Sequence, residues 1–140
     1  MVVSRFSMPI VASAADIDEL GHVSNVVYVR WILDVAMGHT RACGWDFPEY
    51  QTLGSVFVVR RHEVDYIAPV GPAQEITLTT WVETWRGASV IRRTDITRGE
   101  QVVARGATTW AFMSIASGRP QRIPDELRVL FGGVAQRQAL

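Results

Sequence analysis

Lysine is absent from this 140-residue sequence, and cysteine occurs once, at Cys43. A single cysteine cannot form a disulfide within the chain, so a reducing compartment, the cytoplasm, is the expected location. The fourteen basic residues are therefore all arginines, and they balance fourteen acidic residues to a formal net charge of zero. The chain thus lacks the excess positive charge that is typical of nucleic-acid-binding proteins.

Long hydrophobic runs are also absent. No segment approaches the ~20 consecutive apolar residues of a membrane-spanning helix, which predicts a soluble protein without a membrane partner. The apolar segment Met8–Ala15 superficially resembles a signal-peptide cleavage site, but Pro9 interrupts it and only Arg5 precedes it as a charge. No leader is therefore predicted. With 48% hydrophobic and 20% charged residues, the composition indicates one globular domain over residues 1–140.

The motifs of several enzyme classes are missing as well. No group of cysteines and histidines has the spacing of zinc ligands, and no glycine-rich phosphate-binding loop is present. The G-x-S-x-G turn of the serine hydrolases does not occur either. The sequence therefore predicts no metal and no cofactor, and it disfavours both metal-dependent and serine-dependent hydrolysis.

The spacing of apolar residues changes from a helical to a strand period along the chain. Helical spacing from Asn25 to Gly44 predicts one long, half-buried helix that Gly44 ends. The segment Trp45–Gly54 is interpreted as a connector, and Pro124–Phe131 as a short last helix. The predicted strands are Arg5–Val11, Ser55–Ile67, Glu75–Trp85, Ser89–Thr97 and Gln101–Ile115.

Short turn-forming segments join the last four predicted strands, which favours hairpins and therefore an antiparallel sheet. One amphipathic helix of about 20 residues cannot cover both faces of a five-stranded sheet. One face or edge must then contact water or another subunit, so we expect a homodimer or homotetramer.

The densest cluster of potentially reactive residues is Asp16–Asn25, directly before the predicted long helix. The first N–H groups of a helix have no intrahelical acceptor and its dipole is positive there, so this end stabilises an oxyanion. A nearby carboxylate can attack a carbonyl or activate water. The alternative interpretation is helix capping, because Ser24 or Asn25 is a good N-cap and acids before a helix are favourable without catalysis.

The segment 16–25, together with Tyr28, Trp31 and Asp34, resembles the D-x-D-x-x-G-H-V-N-N-x-x-Y-x-x-W signature of the 4-hydroxybenzoyl-CoA thioesterase-like branch of hotdog proteins. Plant acyl-ACP thioesterases carry a close relative of it. Two further segments resemble the family's inter-strand turn and closing segment, Val64–Gly71 and Ser117–Pro124. The resemblance implies an α+β hotdog fold, a curled antiparallel β-sheet wrapped around one long α-helix, with active sites at a dimer interface.

The resemblance also implies roles for individual residues. Asp18 corresponds to the catalytic carboxylate, and Asp16 fills the outer aspartate position. The backbone N–H of Asn25 would polarise the thioester carbonyl, and Gly21 would let the chain approach the ligand closely. His22 either orients water or contacts the substrate, or it is a hydrogen-bonded structural histidine.

Two alternatives to these roles arise within the long helix and at its end. Asp34 is the reserve catalytic carboxylate, since some other hotdog lineages use a helical acid, although Arg30 four residues earlier indicates a solvated charge stripe. Cys43, with His39 four residues earlier, is also a candidate thiol nucleophile, but we favour the interpretation of Cys43 as a buried structural cysteine.

The function predicted from these residues is hydrolysis of an acyl-CoA thioester, with Asp18 as nucleophile or general base. Four arginines are candidates for contacts to the CoA phosphates, with ordinary surface positions as the alternative: Arg92, Arg93, Arg119 and Arg122. Two other functions stay open. One is hydrolysis of acyl-ACP, which needs a basic docking face, and the other is a non-catalytic hotdog protein that binds an acyl ligand.

Overall fold

The computed structural model describes residues 1–134, which contain five strands, three α-helices and a short 3-10 turn at Ala14–Asp16. The strands are β1 (Arg5–Val11), β2 (Ser55–Tyr66), β3 (Glu75–Trp85), β4 (Ser89–Arg98) and β5 (Gln101–Ser114). The helices are α1 (Asn25–Ala42), α2 (Phe47–Leu53) and α3 (Asp125–Leu130). The single domain predicted over residues 1–140 also includes 135–140, which lie outside the described residues.

The five strands form one antiparallel sheet in the order β1-β3-β4-β5-β2. Strands β3, β4 and β5 follow one another as hairpins, as the sequence predicts. The predicted hairpin between β2 and β3 is wrong, because the chain crosses from one edge of the sheet to the other side of β4 and β5 between them, and the two strands are not neighbours. Among the described residues 1–134, strand β2 pairs only with β5, in a register that shifts between Val59 and Arg61, and β1 pairs only with β3. Within residues 1–134, β2 therefore presents a long edge without a strand partner.

Helix α1 packs on the face of the sheet that holds the main hydrophobic core. Five of its buried apolar residues belong to the same core cluster as residues of the strands, and they form one stripe: Val27, Tyr28, Trp31, Ile32 and Val35. Burial of each large apolar side chain stabilises the fold by roughly 2 kcal/mol. A Cβ atom at Gly106 would lie 2.7 Å from Ile32 Cδ1, so the glycine permits close contact between helix and sheet.

A second hydrophobic cluster lies where the C-terminal end of α1 meets α3. It contains Cys43, Val90, Phe112, Ile123, Leu127 and Phe131. The Cys43 thiol donates to the Leu130 carbonyl at 3.3 Å, and burial raises the pKa of this thiol. These contacts confirm the interpretation of Cys43 as a buried structural cysteine.

The hotdog architecture and the five strands are confirmed, with ends that differ from the predicted ones by at most one residue. Helix α1 ends at Ala42, and Gly44 follows with φ +83°. The interpretation of Trp45–Gly54 as a connector is wrong, because this segment contains α2. Asp46 caps α2 by accepting from the Phe47 N–H at 2.9 Å, and Gly54 ends it in the left-handed region.

Within residues 1–134, no helix has the length and apolar character needed to cross a membrane. The sheet face opposite α1 is largely polar. On it Glu83 pairs with Arg93 at 2.8 Å and Asp95 lies 3.8 Å from Arg105. Of the two expected alternatives, contact with water or with another subunit, this face therefore suits contact with water.

Candidate active site

The loop before α1 is a small closed hairpin. Ile17 and Val23 form an isolated antiparallel bridge, and the Asp18 N–H donates to the His22 carbonyl at 2.7 Å. The Gly21 N–H donates to the Asp18 carbonyl at 3.0 Å, which makes residues 18–21 a tight turn. Gly21 has φ +78°, and a Cβ atom added there would meet no other atom within 4 Å, so glycine is needed here for its backbone conformation.

The Asp18 carboxylate is oriented by the backbone of its own loop. Its Oδ1 accepts from the Leu20 N–H at 2.9 Å and from the His22 N–H at 3.3 Å. Oδ2 has no hydrogen-bond partner among residues 1–134, and the carboxylate hydrogen bonds lie at the exposed surface. One oxygen thus fixes the carboxylate, and the other is available for chemistry.

Asp16 attaches this loop to α1. Its carboxylate is buried, accepts from Arg30 Nη2 at 2.7 Å and from the Ser13 N–H at 3.0 Å, and its carbonyl accepts from the Ser24 N–H at 2.9 Å. The hydrogen bond from the Arg30 guanidinium holds the pKa of Asp16 below its usual value. Asp16 is therefore a structural anchor, and its pairing with Arg30 is not recognisable from the sequence.

The N-terminus of α1 lies directly after the hairpin. Ser24 is the N-cap residue, but its side chain makes no capping hydrogen bond. The Asn25 N–H has no acceptor among residues 1–134, as expected for the first residue of a helix. The Asn25 carbonyl accepts from the Tyr66 hydroxyl at 3.0 Å, which connects the helix start to the end of β2.

The connection between β2 and β3 supports the hairpin from the other side. The Val23 N–H donates to the carbonyl of Val70, which is fully buried, at 2.8 Å. Arg98 holds the connection through its bond to the Pro69 carbonyl at 2.8 Å. Tyr28 is also buried. Burial raises the pKa of its hydroxyl, and the nearby Asp18 carboxylate makes a smaller contribution in the same direction. The proline-containing turn and the acidic loop are thus brought together.

Asp34, the reserve catalytic carboxylate, and two of the four arginines predicted to contact CoA lie away from the Asp18 hairpin. Asp34 is exposed on α1, nine residues after Asn25 and hence about 13 Å along the helix axis. Arg92 is buried, with only 6% of its surface exposed, so the prediction that it contacts a CoA phosphate is not supported. Arg93 pairs with Glu83 on the outer face of the sheet.

The other two arginines, Arg119 and Arg122, are exposed in the segment after β5. The Arg119 carbonyl accepts from the Ser114 N–H at 2.8 Å, which fixes this segment to the end of β5. Among residues 1–134, no three His, Cys, Asp or Glu side chains cluster in a way that could hold a metal ion.

A five-stranded antiparallel sheet curled around one long helix, with an acidic hairpin at the helix N-terminus, defines the hotdog class of proteins. The chain belongs to the thioesterase-like superfamily, whose family model matches residues 12–131. This membership supports thioester hydrolysis as the class of reaction. No curated protein sequence matches the chain.

Solved structures share the fold over most of the chain. The PA5185 protein of Pseudomonas aeruginosa is 28% identical, with 95% of this chain and 94% of that chain covered and a TM-score of 0.80. A 1,4-dihydroxy-2-naphthoyl-CoA thioesterase from Synechocystis is 13% identical, with 91% and 95% covered and a TM-score of 0.82. A Staphylococcus aureus hypothetical protein solved in complex with CoA is 12% identical, with 100% and 92% covered and a TM-score of 0.84.

Proposed function

We propose that this protein hydrolyses acyl-CoA thioesters to a free acid and CoA. The observation that carries the proposal is the state of the Asp18 carboxylate, which lies at the surface and is held through one oxygen by two loop N–H groups. The loop leads directly into the N-terminus of α1, where the Asn25 N–H is unpaired among residues 1–134. A nucleophile or base and an oxyanion donor are therefore present on one short segment.

Two routes lead from this arrangement to the same products. In the first, the free Asp18 oxygen attacks the thioester carbon, the C–S bond breaks, CoA leaves as thiolate and takes a proton from water, and water then hydrolyses the acyl–aspartyl anhydride. In the second, Asp18 accepts a proton from a water molecule whose oxygen attacks the thioester carbon, the C–S bond then breaks, and the departing CoA thiolate takes the proton from Asp18. In both, the Asn25 N–H donates to the developing oxyanion, an interaction worth about 3 kcal/mol for a well-placed donor.

His22 and Gly21 have supporting roles in this proposal. The backbone of His22 closes the hairpin through two hydrogen bonds to Asp18, so its exposed imidazole lies on the same loop and is proposed to contact the substrate or the attacking water. Gly21 supplies the positive φ angle that the turn requires. Arg119 and Arg122 are the proposed contacts to the CoA phosphates, because both are exposed arginines.

The carrier is proposed to be CoA, for two reasons. The Synechocystis protein with this fold is a CoA thioesterase, and the Staphylococcus aureus protein with this fold was solved with CoA. The formal net charge of zero also offers no general attraction to an acidic carrier protein. Acyl-ACP hydrolysis is the second candidate function.

We expect the purified protein to hydrolyse at least one acyl-CoA without added metal, because the proposed site uses only a carboxylate and backbone donors. The measurement is release of free thiol from a panel of aryl and aliphatic acyl-CoAs, before and after treatment with a chelator. Activity that a chelator abolishes and zinc restores would contradict the mechanism. Turnover of acyl-ACP alone would favour the second candidate, and binding without turnover of either would indicate a non-catalytic acyl-binding protein.

We also propose that the active form is at least a dimer, and this prediction now rests on the surroundings of the site. Three large apolar side chains near the site are exposed in the protomer. They are Leu20 in the hairpin, 80% exposed, Val26 in α1, 68% exposed, and Ile67 directly after β2, 53% exposed. The unpaired edge of β2 ends in the same region, at Tyr66. A second copy that covered these groups would also exclude water from Asp18.

In dilute solution the protein should therefore have the mass of a dimer or a tetramer. Light scattering at micromolar concentration is the measurement, and Val26→Glu, which places a charge in the exposed apolar region, should lower both the mass and the activity. A fully active monomer would overturn this prediction. Val129→Glu, at a 40% exposed apolar position on α3, is the matched control.

A further inference from the structure

The peptide group between Ser24 and Asn25 carries the N–H that the proposed function assigns to the oxyanion. The side chain of an N-cap residue usually fixes the first turn of a helix, but the Ser24 side chain makes no capping hydrogen bond. The Asn25 N–H itself has no acceptor among residues 1–134. Because this N–H lies in the plane of its peptide group, the contacts on either side of that plane decide its direction.

Two hydrogen bonds flank the peptide group. On one side the Ser24 N–H donates to the Asp16 carbonyl at 2.9 Å. On the other side the Asn25 carbonyl accepts from the Tyr66 hydroxyl at 3.0 Å. The first bond is made to the acidic loop and the second to the last residue of β2, so the peptide group is held between the loop and the sheet.

Tyr66 is itself fixed at its backbone and at its ring. Its backbone belongs to the β2–β5 ladder, and the N–H of the next residue, Ile67, donates to the Val103 carbonyl at 2.9 Å. Its ring makes an edge contact with the Tyr28 ring, with centroids 5.2 Å apart and an interplanar angle of 85°. Tyr28 is a buried core residue. The Tyr66 hydroxyl is thus held by an ordered part of the sheet, and it limits movement of the helix start.

The bond to Asn25 is the one hydrogen bond of the Tyr66 hydroxyl within residues 1–134. Tyr66 is 49% exposed, so water can solvate its hydroxyl and burial does not require this bond. A phenylalanine would make the same ring contact with Tyr28. The hydroxyl can therefore be removed without leaving an unpaired buried group, and its contact with Asn25 can be tested on its own.

We propose that Tyr66 is a positioning residue for thioester hydrolysis. Its hydroxyl holds the Asn25 carbonyl, and this contact directs the Asn25 N–H at the carbonyl oxygen of the thioester. The role rests on the proposed function, and every contact that supports it lies within one chain, so it applies to each site of a dimer or tetramer. Because negative charge develops on that oxygen only during the reaction, a misdirected donor weakens the transition state more than substrate binding.

Tyr66→Phe removes the hydroxyl and keeps the ring. We expect kcat for acyl-CoA hydrolysis to fall at least about tenfold, while KM and acyl-CoA binding stay within about twofold of the wild type. Ser7→Ala is the matched control, because it also deletes a hydroxyl hydrogen bond, to Thr79 at 2.8 Å on the exposed surface, and it should keep the full kcat. Full kcat in Tyr66→Phe together with a loss in Tyr66→Leu would assign the effect to ring packing and overturn the proposal.

A vibrational measurement separates positioning from a general loss of structure. Benzoyl-CoA or octanoyl-CoA, whichever the wild type hydrolyses faster, is labelled with carbon-13 at the thioester carbonyl and bound to Asp18→Asn. Hydrogen bonding by the Asn25 N–H should lower the carbonyl stretching frequency relative to free acyl-CoA, and adding Tyr66→Phe should reduce this shift by about half or more.

An unchanged frequency shift in the double variant would contradict the role of Tyr66 and leave the proposed hydrolysis intact. Weaker acyl-CoA binding in Tyr66→Phe with an unchanged shift would also overturn the proposal, because the hydroxyl would then contact the substrate directly. No hydrolysis of either acyl-CoA by the wild type would contradict the proposed function, and the role of Tyr66 with it.

Discussion

Asp18→Asn should reduce kcat for acyl-CoA hydrolysis at least about a hundredfold while substrate binding and folding are retained. The amide oxygen can still accept from the Leu20 and His22 N–H groups that hold the hairpin, so the loop keeps its shape. The amide is neither a competent nucleophile nor a base near neutral pH. The measurements are steady-state kinetics, acyl-CoA binding and circular dichroism of the variant beside the wild type.

Asp34→Asn is the matched control, because Asp34 is also an exposed aspartate but lies on α1 away from the hairpin. It should keep nearly the full kcat. If instead Asp34→Asn abolished turnover while Asp18→Asn kept more than about a tenth of the wild-type kcat, a loss under ~1.4 kcal/mol, the catalytic carboxylate would be assigned to the wrong residue.

The free energy of unfolding should fall as the pH decreases from about 6.5 to about 4, by up to about 3 kcal/mol from His39 alone. Burial, with a smaller contribution from the Arg92 charge, lowers the pKa of His39 from 6.5 to about 4. In this window the unfolded chain binds a proton that the folded chain does not, so acid favours unfolding. Above pH 6.5 the histidine is neutral in both states, and its contribution is constant. Urea unfolding at several pH values gives the slope.

The contribution of His39 is isolated by comparison with His39→Gln, whose amide can still accept from Arg92 and donate to Val3 but does not titrate. This variant should show a flatter dependence between pH 6.5 and 4. His62 also has a pKa lowered by burial, so His62→Gln is the control and should keep most of the slope. Equal slopes for His39→Gln and the wild type would show that His39 is protonated without penalty in the folded protein.

Hydrophobic periodicity is sufficient to predict α1 and all five strands, because each has a buried stripe or alternating face. It does not predict helix α2, which is only seven residues long and has none of them buried. The capping Asp46 and the terminal Gly54 are the available signals for that helix. The sequence also contains a signal for the burial of Arg92. Its position has the same parity as Val90, Thr94 and Ile96, which lie on the core face of β4.

The sequence predicts less of the candidate site than of the fold. A family resemblance points to Asp18, but it does not indicate that one carboxylate oxygen is used to hold the hairpin. The Asp16–Arg30 pair joins residues fourteen positions apart, and local spacing gives no signal for such a contact. The approach of Val70 to Val23 likewise depends on how the chain returns between β2 and β3.

The attachment of the hairpin to α1 through Asp16 has a consequence for the entropy of substrate binding. Because the loop is fixed by Arg30, Ser13 and Ser24, its conformational freedom is lost when the chain folds and not when a ligand arrives. The proposed catalytic carboxylate is then preorganised, and binding energy from the acyl group need not be used to order it. Because the hairpin is attached to α1, the helix sets the position of Asp18. A substrate must therefore orient itself to Asp18, and Asp18 does not move to meet the substrate.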